Sequence, residues 1–145
     1  MLSTLPPITL TEENHRMLSD MVDKLKVTMP VAEFLGRELD RARIVSSADI
    51  PADVVTLGSE VRFKDPRSAA IRSVRLVNPA DENVSGGLLS ILTPVGVALL
   101  GLSAGQHMEW ETRDGRTLGL RLLEVTYQPE AAGRAQTREA VGSAR

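Results

Sequence analysis

The chain has 145 residues, 42% of them hydrophobic and 25% charged, with a net charge of -2 and no cysteine. That length makes one domain, or a small domain with an appendage. The lack of cysteine excludes disulfides, thiolate catalysis and Cys-based metal sites and fits a reducing cytoplasm, and the slightly negative charge gives no general affinity for nucleic acid.

The N-terminal "MLSTLPPITL" has neither the basic start nor the long apolar run of a secretory signal. Pro6 and Pro7 forbid a helix there, so an extended arm is expected. In "TEENHRMLSDMVDKLKV" Thr11 is a suitable N-cap, and Glu12 and Glu13 suit the helix N-terminus. Leu18, Met21, Val22 and Leu25 follow at helical spacing and form one apolar stripe. Pro30 fits the first position of a second helix, "VAEFLGRELDRARIV", with its stripe at Leu35, Leu39 and Ala42 and Phe34 beside it. The short turn between them predicts an antiparallel pair whose stripes cover each other. "SSADIPADVV" is polar and proline-bearing, and reads as a linker.

Beyond the linker the pattern turns strand-like. "VVTLGSEVRF", "AIRSVRLV", "GLLSIL", "HMEWET" and "TLGLRLLEVTY" predict an antiparallel sheet of about five short strands, with Asp114-Gly115 as the hairpin turn. Between the third and fourth strands lies "LTPVGVALLGL". Thr93 can cap it, Pro94 fits its first position, and Gly101 fits the residue that ends it. So short a helix needs tertiary packing to exist. It is apolar on every side, so either the fold wraps it completely or one side docks another protein. From Pro129 onward, "PEAAGRAQTREAVGSAR" buries too little apolar area to order itself and reads as a loose tail. The expected division is 1–45 for the arm and helices, 46–53 for the linker, 54–129 for the sheet domain and 130–145 for a flexible tail.

Little in the chain carries catalytic chemistry. His15 and His107 have no partner spacing for a metal and read as surface residues. No nucleophile elbow, P-loop or dinucleotide fingerprint is present. Arg62, Lys64, Arg67, Arg72 and Arg75 make the first half of the sheet basic, but without interleaved aromatics this reads as a solvated strand face. Trp110 reads as core. Asp20, Asp23 and Glu33 flank the turn between the helices, interrupted by Lys24 and Lys26, and no metal site is expected there.

The segments "VVTLGSEVRF", "LSILTPVGVALLGLSAGQHMEW" and "LRLLEVTYQP" resemble the C-terminal part of the Gre transcript-cleavage factors of bacterial RNA polymerase. With the short helical pair before them, the chain is similar to the Rnk family. The resemblance implies an α+β chain: a short antiparallel helical hairpin of coiled-coil type, then an FKBP-like antiparallel sheet domain with one short helix. It implies docking on the rim of the polymerase secondary channel through Leu92, Thr93, Pro94 and Val95. Gre factors hold a Mg²⁺ with an acidic pair at the hairpin tip. Here the tip is Lys24, Lys26, Thr28 and Met29, which is basic and apolar. The resemblance therefore implies a non-enzymatic, cytoplasmic regulator that binds RNA polymerase and competes with Gre-type factors without stimulating cleavage. It implies no cofactor, no direct DNA contact, no membrane and no small-molecule substrate. Two alternatives stay open. One is active cleavage stimulation through Asp20, Asp23 or Glu33. The other is FKBP-like peptidyl-prolyl isomerase activity, for which one Trp, one Tyr and two Phe provide little lining.

Overall fold

The computed structural model describes residues 5–25, 29–65, 68–112 and 114–135. Strand β1 (Thr9–Thr11) leads directly into helix α1 (Glu12–Leu25), and helix α2 (Pro30–Arg41) is followed by strand β2 (Arg43–Val45). Thr11 caps α1 as its sequence predicts, its hydroxyl accepting from the Asn14 amide at 3.1 Å. Pro30 opens α2. The helices lie side by side in opposite directions. The Met29 amide donates to Leu25 O at one end, and His15 near the start of α1 meets Leu39 near the end of α2. At 1.5 Å per residue the 14 residues of α1 make about 21 Å.

The main sheet holds β3 (Glu60–Lys64), β4 (Ile71–Val77), β5 (Leu88–Ser90), β6 (His107–Glu111) and β7 (Thr117–Tyr127) in the order β5-β4-β3-β7-β6. Helix α3 (Pro94–Leu99) lies between β5 and β6, and a last helix, α4, covers 129–135. The hairpin between β6 and β7 closes as the Asp-Gly pair predicts, with the Gly115 amide donating to Thr112 O and the Thr112 amide to Arg116 O. Beside it the Asp114 carboxyl is held below its usual range, first by the Thr112 hydroxyl and then by Arg116.

Three expectations are corrected. The sheet is mixed rather than antiparallel: β5 runs parallel to β4, because two single-turn 3-10 segments, Pro79–Asp81 and Val84–Gly86, carry the chain back between them. The arm, extended as expected, is pinned to the core. Its β1 pairs in parallel with β2, the Thr9 amide donates to Gly101 O, and Ile8 and Leu10 are buried in the core. The linker is not free either. Ile50 is buried, Gln128 donates to Pro51 O and Val54 O, and Arg134 donates to Ser47 O and Ile50 O. Those last bonds also order the start of the expected tail, where 129–135 are helical; 136–145 lie outside the described residues. The corrections to the linker and the tail rest on partners far away in sequence, which local composition does not reveal.

The two stripes do not simply cover each other. Leu18, Val22, Leu35 and Leu39 join Val61, Phe63, Leu99 and Leu122 in one continuous hydrophobic core. An ion pair within α2 orients a further tie from the helices to the arm and the sheet. Glu38, 3% exposed, receives Arg41 through two bonds of 2.7 and 2.8 Å, and Arg41 also donates to Pro6 O at 2.5 Å and approaches the Met108 sulfur of β6.

Candidate functional site

Helix α3 begins on a dense local network. The Thr93 hydroxyl accepts from the Gly96 amide at 3.0 Å and donates to Ser90 O at 2.8 Å, while the buried Ser90 hydroxyl accepts from the Leu92 amide at 3.0 Å. Gly96 is required here: a Cβ at this position would overlap the Ser90 carbonyl oxygen and approach the Thr93 hydroxyl. The strand end and the helix start are thus pressed together, and the Ser90–Gly96 turn is held by its own hydrogen bonds together with the Ile91 amide, which donates to Val77 O at 2.8 Å.

The rest of the helix is enclosed. Val97, Ala98, Leu99 and Leu100 are buried, with α2 and β6 packed on α3. At its C-terminal end Gly101 takes a φ of +81° and donates to Val55 O. The arm crosses directly over this glycine, and a Cβ there would lie 2.9 Å from that of Ile8. The N-terminal turn is different. Pro94 is exposed, and Leu92, Thr93 and Val95 are half-buried. These four are the residues expected at a docking surface, and the structure brings them together on one turn at the open end of the helix.

Two of the four expected tip residues fall within the described residues. Lys24 is exposed at the end of α1 and Met29 is half-buried before α2, whereas Lys26 and Thr28 lie outside the described residues. Asp20, Asp23 and Glu33 are exposed on their helices. Among the described residues no three His, Asp or Glu side chains gather as metal ligands, and no helix is long and apolar enough to cross a membrane.

Beside the Leu92–Val95 turn is a feature that sequence reasoning missed. Trp110 is half-buried and packs against the core, and its ring stacks on Phe34 of α2 at 6.3 Å. Val95, Trp110, Phe63, Arg72 and Leu118 line a cavity of about 90 Å³ there. The indole nitrogen is buried without a hydrogen-bond partner among the described residues. The placement of Phe34 just off the apolar stripe was the available signal. His15 also departs from expectation. It is half-buried, and its Nε2–H donates to Leu39 O at 3.1 Å, satisfying one of the carbonyls left open at the end of α2. His107 is exposed, as expected.

Residues 50–127 match the family described as transcription elongation factor GreA/GreB, C-terminal, and residues 6–45 match the Rnk N-terminus. Over 105 residues the chain is 45% identical to the regulator of nucleoside diphosphate kinase of Escherichia coli K12, covering 72% of this chain and 77% of that protein. It is 31% identical over 91 residues to the transcription elongation factor GreA of Syntrophomonas wolfei, covering 63% of this chain and 57% of that protein. In three dimensions it is similar to a prokaryotic transcription elongation factor GreA/GreB from Nitrosomonas europaea, with a TM-score of 0.66 and 40% identity over 84% of this chain and 99% of that one. An Rnk N-terminus joined to a GreA/GreB C-terminal region places the chain in the family of regulators of nucleoside diphosphate kinase.

Proposed function

We propose that this chain is a non-enzymatic regulator of transcription that binds bacterial RNA polymerase. It docks at the entrance of the secondary channel through Leu92, Thr93, Pro94 and Val95, and competes there with Gre-type factors without stimulating RNA cleavage. The observation that carries this reading is the division of α3: buried from Val97 to Leu100, yet open at a rigid, mostly apolar turn. Rigidity matters because a preformed turn loses little conformational entropy on binding.

In this reading α1 and α2 form a coiled-coil hairpin standing on an FKBP-like domain. The boundaries at 45 and 54 separate functions rather than folding units, since one core spans both. The hairpin is about 21 Å long, and its end residues Lys24 and Met29 are a cation and a thioether. Positioning a catalytic metal requires carboxylates at that metal, so the hairpin acts by occupying space. The protein works in the cytoplasm, without a cofactor, and its partner is the polymerase rather than DNA, a membrane or a small molecule.

A stalled elongation complex tests this directly. The chain alone is expected to leave the RNA at its original length, and an excess of it is expected to suppress the cleavage produced by added GreA. Shortened RNA from the chain alone, or GreA cleavage indifferent to it, contradicts the proposal.

A further inference from the structure

The outward face of the sheet carries its charges in rows that run across the strands. In one row Arg75 of β4 lies opposite Glu60 of β3, with a 2.8 Å ion pair, and its guanidinium covers the Tyr127 ring of β7 at 5.1 Å. In the next, Ser73 lies opposite Arg62, which pairs with Glu124 at 2.6 Å. Both rows are neutralised within the fold.

The third row is not. Ile71 of β4, Lys64 of β3, Arg121 of β7 and His107 of β6 lie opposite one another across four strands. Lys64 and Arg121 are directly opposed cations, an arrangement that destabilises a sheet. Among the described residues the Lys64 side chain makes no ion pair or hydrogen bond, the Arg121 guanidinium reaches only Gly105 O at 3.2 Å, and a nearby carboxylate, Glu109, lies 3.8 Å from His107. At one end Ile71 is 55% exposed. With neighbouring strands about 4.8 Å apart, the row spans about 14 Å.

We propose that this row is a second docking surface, which receives an acidic segment of RNA polymerase carrying an apolar side chain at the Ile71 end. The inference rests on the polymerase reading and extends it to the opposite face of the sheet from α3. The fold tolerates opposed cations here while neutralising the two adjacent rows, and an anionic partner relieves the repulsion that the fold leaves standing. A protein segment fits better than a single-stranded nucleic acid, because no aromatic ring stands in the row to stack on bases. Tyr127 lies two rows away, beneath Arg75.

The test uses the full chain, core RNA polymerase and a fluorescent oligo-dT as probes. Lys64→Gln/Arg121→Gln is expected to bind polymerase about tenfold more weakly at low ionic strength, with a flatter dependence on salt. Arg62→Gln, from a neutralised row, is expected to lose less than about twofold. Lys64→Gln alone is expected to leave the melting temperature of the free protein unchanged or raised, since it removes a repulsion; a fall overturns the assignment of that charge to a partner. If the wild-type chain binds and the double variant binds equally, this inference alone is overturned. A double variant that loses only oligo-dT binding overturns it in favour of nucleic acid. No binding by the wild-type chain overturns the polymerase reading and this inference with it.

Discussion

The two ends of α3 sit a few residues apart and meet different surroundings. At the C-terminal end Leu99 and Leu100 are fully buried, and the arm lies across Gly101 so closely that no side chain fits. At the N-terminal end the shape is fixed just as firmly, by Thr93 and Ser90, but Pro94 remains exposed. A short apolar run can therefore hold a core together and offer a surface, provided the open part is made rigid by its own hydrogen bonds rather than by packing.

Substitutions along the helix break this comparison in order. Leu99→Ala removes a side chain from the sealed core and is expected to cost about 3 kcal/mol, read as a lower midpoint in urea unfolding. Gly101→Ala forces a left-handed conformation on alanine and pushes its Cβ against Ile8, with an expected loss of about 2 kcal/mol by the same measurement. Thr93→Ala removes the cap and is expected to cost about 1 kcal/mol. Because the hydroxyl also donates to Ser90 O, this variant loosens the docking turn, so weaker polymerase binding should accompany the lower stability. Pro94→Ala, at the open end, is expected to change stability by less than about 0.5 kcal/mol while weakening polymerase binding. A stability loss at Pro94 as large as that at Leu99 would erase the difference between the two ends.

The elements of this comparison were unequally legible in the sequence. Thr11, Pro30, Thr93, Pro94 and the Asp114-Gly115 turn act on residues within about four positions, and Gly101 through its own backbone conformation, so their types alone announced the caps and the hairpin. The cover of α3 comes from Ile8, Leu10 and α2, which lie dozens of residues distant. Nothing in "TLPPITL" distinguishes a strand pinned beneath the core from a loose arm. The Arg41–Glu38 clamp escaped for the same reason. Its spacing is that of an ordinary surface pair, and only burial beneath Pro6 and Met108 gives it a structural role. The site residues were read by resemblance rather than chemistry, since a docking turn contains no titratable group to betray it.

Hydrogen–deuterium exchange of the full chain, with and without core RNA polymerase, tests the division of α3 most directly. The account predicts that polymerase slows exchange in the peptide spanning 92–95. The amides of Val97 and Leu100, already bonded to Thr93 O and Gly96 O, stay slow in both states. Binding of polymerase with no change at 92–95 would contradict it.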